Sequence, residues 1–267
     1  MPRDRYDQVM DTFIRKTADG ISIFNQSAAE KMRAAGALAK SVLDYISPFV
    51  EPGVSTEQLN VLCHDYIIKH KAIPAPLNYK GFPKSICTSV NHVVCHGIPS
   101  DLKILKKGDI INIDVTVILD GWYGDTSRMY VAGKPSAQSV KLMQVTYDCL
   151  MGAIDMVRPG IHLGDIGHFI ETLARKNNFS SVRSFCGHGI GPYFHGAPEV
   201  LHFGAPGTGV VLEEGMFFTI EPMINVGRAE TKILKDGWTA VTKDKSLSAQ
   251  YEHTMGVTKD GVEVFTA

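Results

Sequence analysis

Residues 110–131 read IINIDVTVILDGWYGDTSRMYV, and this stretch decides the fold of the chain. Two apolar runs, Ile110–Leu119 and Tyr123–Val131, flank the dipeptide Asp120-Gly121. Asp-Gly between apolar runs is a strong signal for a two-residue turn that joins antiparallel strands. The stretch therefore predicts a β-hairpin.

The predicted turn also sets the register of this hairpin. Asp114 would lie opposite Ser127, and Asp125 opposite Thr116. Because Asp114 and Thr116 share a face, the two aspartates become diagonal neighbours with Cα atoms about 7–8 Å apart. Their carboxylates could then converge on one ion. Asp114 lies in an apolar strand, where a carboxylate must be paired, protonated or bound to a metal, and a structural salt bridge would satisfy it equally.

The second half of the sequence repeats the order of the first. Pro52-Gly53 reappears as Pro159-Gly160, and segment 105–114 reappears as 212–221, both at an offset of 107 residues. The shared offset favours an internal duplication over two unrelated helix–strand units. The last residues of the two segments, an aspartate and a glutamate, are then equivalent and would meet near a pseudo-twofold axis.

Helical spacing predicts a first helix that opens with a capping box from Ser27 to Glu30, and a second that opens with one from Ser55 to Gln58. Strands cluster after the helices, which predicts an α+β fold with antiparallel sheet and helices on one face. An N-terminal lead of residues 1–26 would precede a single domain, 27–267. Its two halves would span about 27–133 and 134–267.

The bulk composition excludes several classes of protein. The formal net charge is −1, so no strong field draws the chain to nucleic acid. No apolar run is long enough to span a membrane, and the first 25 residues lack an apolar signal region. We therefore expect a cytoplasmic protein without membrane contact. The five cysteines include no CxxC pair, which argues against a disulfide framework or a structural zinc site.

Two further carboxylates and one histidine lie in surroundings that make them candidate metal ligands. Glu221 ends the apolar run 217–220, Glu252 lies near the C-terminus, and His188 lies in the glycine-rich run 187–191. Singly, each is more often an ordinary polar residue. Together, one imidazole and four carboxylates suit two divalent cations bridged by carboxylates and a water. Such a pair supplies hydroxide near neutral pH, which predicts hydrolytic chemistry.

These segments resemble the type I methionine aminopeptidases, metallopeptidases of the pita-bread fold. The resemblance runs from about Ser27 to the end of the chain, and the order and spacing of the motifs agree. It implies removal of the initiator methionine from nascent proteins whose second residue is small. The motifs are Val94–Pro99, Asn112–Thr116, Gly124–Thr126, Gly187–Gly191 with His195, Thr219–Pro222 and Glu252–Thr254.

The resemblance also implies a site with two divalent metals and a hydroxide bridging them as the nucleophile. Asp125 and Glu252 would bridge the metals, His188 and Glu221 would complete one site, and Asp114 would complete the other. Cobalt, manganese, iron and zinc all fit this mixed ligand set.

Two histidines and one of the ligands receive catalytic roles by the same resemblance. His195 would donate to the scissile carbonyl oxygen as it becomes charged. His96 would contact the scissile nitrogen, and Glu221 would accept a proton from the nucleophilic water.

Other positions match a methionine pocket and a monovalent cation site in relatives. The cation positions are Asn91, Val93 and Ser248. Position 82 is phenylalanine where many relatives have tyrosine, so the pocket has one hydroxyl fewer. The predicted pocket walls are Tyr79, Phe82, Cys87, Phe194 and Trp238.

The implied partners are nascent polypeptides and, near its exit tunnel, the ribosome, with the enzyme acting as a monomer. Three alternatives stay open. A prolidase or aminopeptidase P usually carries a large preceding domain, whereas only about 26 residues precede the first helix here. A non-catalytic peptide-binding protein of this fold would have lost metal ligands. A dinuclear phosphoesterase would need basic residues near the site, and the motifs bring only Arg128 and Lys84.

Overall fold

A computed structural model describes residues 11–267 of the chain. Its longer elements are four helices and a long hairpin, and short 3₁₀ turns cover Ser47–Phe49 and Tyr79–Gly81. The helices of the described residues are α1 (Gln26–Ile46), α2 (Thr56–Lys69), α3 (Ala137–Met156) and α4 (Leu163–Lys176).

The strands form small sheets in which every described pair is antiparallel. In the first half, β6 lies between β4 and β7 and also pairs with β3. A sheet of order β13-β14-β5 joins a strand of the first half to two strands of the second. Two sheets lie wholly in the second half, with the orders β10-β9-β11-β16-β17 and β15-β12-β8, and β1 pairs with β2 near the N-terminal end of the described residues. The strands are β1 (Phe13–Lys16), β2 (Ser22–Phe24), β3 (Ile73–Pro74), β4 (Cys87–Val90), β5 (Val93–Cys95), β6 (Ile110–Leu119), β7 (Trp122–Val131), β8 (Ser180–Ser181), β9 (Gly187–Gly189), β10 (Gly196–Val200), β11 (Phe217–Ile220), β12 (Met223–Asn225), β13 (Thr231–Ile233), β14 (Ala240–Thr242), β15 (Ser248–Gln250), β16 (His253–Val257) and β17 (Val262–Val264).

The hairpin of β6 and β7 confirms the predicted turn and register. Asp114 pairs with Ser127, and Thr116 pairs with Asp125. The turn residue before the glycine has a φ of 49°, and Gly121 has a φ of 84°, which are the left-handed values that a type I′ turn requires. The local sequence therefore determined the placement of both aspartates on one face.

Alternation along β6 separates an apolar face from a polar one. The odd-numbered residues, such as Ile113 and Val115, are buried in a core with Leu43 of α1 and Leu59 of α2. The even-numbered residues therefore point away from these helices. This is the face that carries Asp114, and it is turned toward the second half of the chain.

The repeat at an offset of 107 residues extends to backbone hydrogen bonds. The N–H of Gly53 donates to the carbonyl of Leu105 at 2.8 Å, and the N–H of Gly160 donates to that of Leu212 at 2.9 Å. Helices α2 and α4, of 14 residues each, begin and end at the same offset. The two segments thus fold alike locally, and the domain limits given above remain a prediction.

The predicted start of the first helix is wrong by two residues, whereas that of the second is confirmed. The N-cap of α1 is Asn25, whose side chain accepts from the N–H of Ala28 at 3.1 Å. Its own N–H donates to the carbonyl of Thr12, so contact with the preceding segment turns the chain at Asn25 rather than Ser27. The capping box at the start of α2 is present as predicted.

The segment between residue 11 and α1 is part of the core. Ile21, Ile23 and Phe24 are buried, and the N–H of Phe24 donates to the carbonyl of Gly215 at 2.9 Å. Within residues 11–267, none of the helices combines the length and apolar character needed to cross a membrane.

Candidate metal centre and substrate cavity

A cavity of about 390 Å³ lies where the polar face of β6 and β7 meets the second half of the chain. All residues predicted as metal ligands, catalytic histidines or walls of the methionine pocket line it. These are Tyr79, Phe82, Cys87, His96, Asp114, Asp125, His188, Phe194, His195, Glu221, Trp238 and Glu252.

The hairpin supplies two of the carboxylates. Asp125 is 3% exposed and accepts a hydrogen bond at Oδ1 from the Thr116 hydroxyl at 2.7 Å. Oδ1 of Asp114 is buried and has no hydrogen-bond partner among the described residues. A buried carboxylate oxygen without a donor is costly unless a cation lies beside it.

Strand β9 carries His188, and its partner β11 leads directly into Glu221, so the two residues lie side by side. Nε2 of His188 lies 3.6 Å from Oδ2 of Asp125 and 3.7 Å from Oε1 of Glu221. Both distances exceed that of a good hydrogen bond. The Thr219 hydroxyl donates to Oε1 of Glu221 at 3.1 Å, and Nε2 of Gln250 donates to the other carboxylate oxygen at 3.1 Å. The carboxylate is therefore held on both oxygens.

Backbone pairing between the two halves of the chain brings Glu252 into the site. Its backbone exchanges hydrogen bonds with Ser127 of β7, at 3.1 and 3.4 Å. The Thr126 hydroxyl donates to the carbonyl of Glu252 at 2.7 Å, and the Thr254 hydroxyl donates to that of Asp125 at 2.6 Å. This pairing fixes Glu252 beside Asp125, although the two lie far apart in sequence.

Burial and mutual repulsion disfavour the charged form of these carboxyl groups. Burial raises the pKa of Asp114 to about 7. Burial and the neighbouring Asp114 charge raise the pKa of Asp125 well above its usual range. Burial and the Asp125 charge do the same to the pKa values of Glu221 and Glu252. A cluster of this kind requires cations or protons.

The donor set fits divalent cations. One ligand atom each of Asp125, His188 and Glu252 lies within 4.8 Å of the others, so the three can hold one ion. Burial lowers the pKa of His188 to about 4, which keeps the imidazole in the neutral form that metals bind. The partnerless Oδ1 of Asp114 offers a further ligand atom.

His96 and His195 lie at the cavity and come from different parts of the chain. His96 has a φ of 54°, and a Cβ on the following Gly97 would lie 2.1 Å from the carbonyl oxygen of Thr88, so only glycine fits there. Nδ1 of His195 lies 2.9 Å from the Tyr79 hydroxyl. The His195 ring also lies against that of His188, with centroids 4.2 Å apart.

Aromatic rings build the predicted methionine pocket. Tyr79 and Phe194 have ring centroids 4.8 Å apart, and Phe82 and Trp238 meet edge to face at 5.2 Å. Cys87 is buried beside them, and burial raises the pKa of its thiol well above the usual range. Cavity residues not predicted from sequence are Pro76, Lys80, Cys95, Thr116, Ser184, Phe185 and Cys186.

The predicted monovalent cation residues are neighbours outside the cavity. The N–H of Ser248 donates to the carbonyl of Asn91 at 2.8 Å, and Val93 opens the adjacent strand β5. The Ser248 hydroxyl is buried and has no partner within residues 11–267.

Sequence reasoning missed the residues that support the candidate ligands. Thr116, Thr219 and Gln250 each donate to a cavity carboxylate, and Nε2 of the fully buried His202 accepts from the N–H of Glu221 at 3.3 Å. Strand periodicity was an available signal for the threonines, because each lies two residues from an acidic ligand candidate on the same strand or its continuation. Nothing local marked Gln250 or His202.

Comparisons with known proteins agree with this geometry. Residues 30–259 match metallopeptidase family M24. A methionine aminopeptidase of Rickettsia prowazekii is 62% identical over 92% of this chain and 95% of its own length. One of Escherichia coli (strain K12) is 54% identical over 92% of this chain and 94% of its own. The crystal structure of the Rickettsia enzyme superposes with a TM-score of 0.91, covering 92% of this chain and 100% of that one.

A more distant neighbour shares the fold alone. The prolidase from Pyrococcus horikoshii OT3 is 19% identical with a TM-score of 0.71, and the match covers 92% of this chain and 63% of the prolidase. The predicted α+β pita-bread fold with antiparallel sheets is confirmed. With an aspartate–glutamate–histidine cluster in its cavity and a match over most of its length, the chain belongs to metallopeptidase family M24.

Proposed function

We propose that this protein is a methionine aminopeptidase that removes the initiator methionine from proteins whose second residue is small. The observation that carries this proposal is the convergence of one imidazole and four carboxylates at a cavity that is also lined by aromatic rings and by buried thiols. An acidic cluster favours the positively charged amine of a free N-terminus. Apolar, polarisable walls favour a thioether side chain.

The proposed ligands of two divalent metals are Asp114, Asp125, His188, Glu221 and Glu252. Asp125 and Glu252 would be shared by both metals, His188 and Glu221 would complete one site, and Asp114 would complete the other. When bound, the metals would polarise the scissile carbonyl and supply hydroxide near neutral pH.

The remaining chemistry belongs to side chains of the chain itself. His195 donates a hydrogen bond to the carbonyl oxygen of the substrate as negative charge develops on it. His96 contacts the scissile nitrogen. Glu221, held by Thr219 and Gln250, accepts the proton that the attacking water loses.

We infer a monomer in the cytoplasm that meets nascent chains as they leave the ribosome, and a single catalytic domain over residues 27–267. Manganese, iron, cobalt or zinc would fill the metal sites. Asn91, Val93 and Ser248 would hold one monovalent cation, which the partnerless Ser248 hydroxyl supports.

The test is release of methionine from the peptide Met-Ala-Ser by chelator-stripped protein, before and after addition of manganese or cobalt. We expect release only with metal, none from the N-acetylated peptide, and much slower release from Met-Lys-Ser. Ala-Pro dipeptides serve as the control for proline-directed activity. Cleavage of Ala-Pro with no release of methionine would contradict the proposal, and so would inactivity of folded protein with every metal.

A further inference from the structure

Tyr79 makes a contact that a pocket wall does not need. Its hydroxyl oxygen lies 2.9 Å from Nδ1 of His195, a hydrogen bond between residues 116 positions apart. Tyr79 is also the only tyrosine among the described residues that line the cavity, since position 82 is phenylalanine. No other phenol of this cavity can therefore take its place.

The backbone around Tyr79 holds the ring in a defined position. Asn78 and Lys80 have φ values of 66° and 47°, in the left-handed region that non-glycine residues seldom adopt. The N–H of Asn78 donates to the carbonyl of Phe82 at 2.7 Å, and the N–H of Tyr79 donates to that of Pro76 at 3.0 Å. Conformations of this kind persist where the surroundings enforce them, and they cluster at functional sites.

His195, by contrast, has little else to hold it. The residue is solvent-exposed, and its ring rests against the rings of Phe194 and His188, with centroids 4.1 and 4.2 Å away. Such ring contacts restrict the orientation of an imidazole but do not decide which nitrogen carries the proton. A hydrogen bond at one ring nitrogen decides it when the partner prefers to donate, as a phenol does beside the more basic imidazole nitrogen.

We propose that the Tyr79 hydroxyl donates to Nδ1 of His195 and thereby fixes the tautomer and orientation of the imidazole, with the proton on Nε2. A phenolic O–H is a good donor, and a neutral imidazole nitrogen is a good acceptor. Nε2–H is then the donor that faces the substrate. The opposite tautomer would present a lone pair to the carbonyl oxygen and repel it.

Tyr79 is thus a positioning residue that acts through His195, in addition to its place in the pocket wall. This inference rests on the proposed function, in which His195 stabilises the developing charge on the carbonyl oxygen. The Tyr79 hydroxyl is the group that makes His195 a hydrogen-bond donor to that oxygen.

The experiment compares Tyr79→Phe with the wild type on Met-Ala-Ser, using metal-loaded protein. The substitution keeps the ring and removes only the hydroxyl. We expect kcat to fall about tenfold, the effect of losing one hydrogen bond, with KM within about threefold of the wild type. Tyr147→Phe, on the exposed face of α3, is the matched control and should retain full activity.

A double-mutant cycle with His195→Ala separates positioning from wall packing. In the His195→Ala background, Tyr79→Phe should have no further effect on kcat. An equal loss in both backgrounds, or a rise in KM alone, would overturn the inference. Wild-type rates in Tyr79→Phe would overturn it as well. If the wild type itself releases no methionine, it is the proposed function that fails, so the two failures are distinguishable.

A spectroscopic measurement reports the tautomer directly. The side-chain ¹⁵N shifts of His195, assigned by their loss in His195→Ala, should show Nε2 protonated in the zinc-loaded wild type. We expect a mixture of tautomers in Tyr79→Phe. Protonation of Nδ1 in the wild type would contradict the inference regardless of any kinetic result.

Discussion

The hydroxyl of Thr219 couples two cavity residues, because it donates to Oε1 of Glu221 at 3.1 Å and accepts from the backbone N–H of His188 at 3.0 Å. Thr219 is fully buried in β11, so no water can replace its hydroxyl without a rearrangement. One side chain thus links the backbone of His188 to the carboxylate of Glu221, two residues that we propose as metal ligands.

Replacement of Thr219 by valine should therefore weaken metal binding while keeping the shape of the core. Groups that support metal ligands typically contribute about 10–100-fold in affinity or activity. We expect a loss of this size in metal affinity, measured by titration calorimetry, with unchanged secondary structure by circular dichroism. Thr219→Ser retains the hydroxyl and is the matched control. Equal affinities of the valine and serine variants would argue against the coupling.

Asp125→Asn should abolish activity and remove at least one bound metal, because the amide cannot bridge two cations as a carboxylate does. The measurements are methionine release and metal content after gel filtration. Asp120→Asn makes the same chemical change in the exposed hairpin turn, where asparagine also tolerates a positive φ. It should behave as the wild type. Near-normal turnover of Asp125→Asn would refute the ligand assignment.

His195→Ala should lower kcat about 10²-fold or more while both metals still bind. The reason is that one donor to a developing oxyanion is lost but no ligand is. Steady-state kinetics tests the fall in kcat, and metal analysis of the same preparation tests whether both metals remain bound. His168→Ala, on the exposed side of α4, is the control for histidine loss. Loss of metal from His195→Ala would make this residue a ligand instead.

Gly189→Ala should destabilise the protein and impair the site. A Cβ at Gly189 would lie 1.9 Å from the carbonyl oxygen of Ala197 in the paired strand β10, so β9 must move. Overpacking of this kind costs about 1–3 kcal/mol, and the displaced strand carries His188. Urea unfolding and metal affinity should both report it. At Gly261 the nearest atom to an added Cβ is 4.0 Å away, so Gly261→Ala should change neither quantity.

Local sequence determined the parts of this protein that depend on neighbours in the chain. Alternation and the turn at Asp120-Gly121 were sufficient to place Asp114 and Asp125 on one face of the hairpin, and the structure has that register. The capping box at Ser55 and the repeat at 107 residues were equally readable, because capping and turn chemistry act over a few residues. The resemblance of short motifs to a known family named the other candidate residues.

Only the tertiary structure decided which of these residues meet and what supports them. The backbone pairing of Ser127 with Glu252 joins positions 125 residues apart, and no local pattern encodes such a contact. The same holds for the bond between Tyr79 and His195, and for the start of α1 at Asn25, where pairing with Thr12 prevailed over an equally good cap at Ser27. Short-range energies determine the strands, turns and helix caps. The need to satisfy buried polar groups determines which residues of the two halves become hydrogen-bond partners.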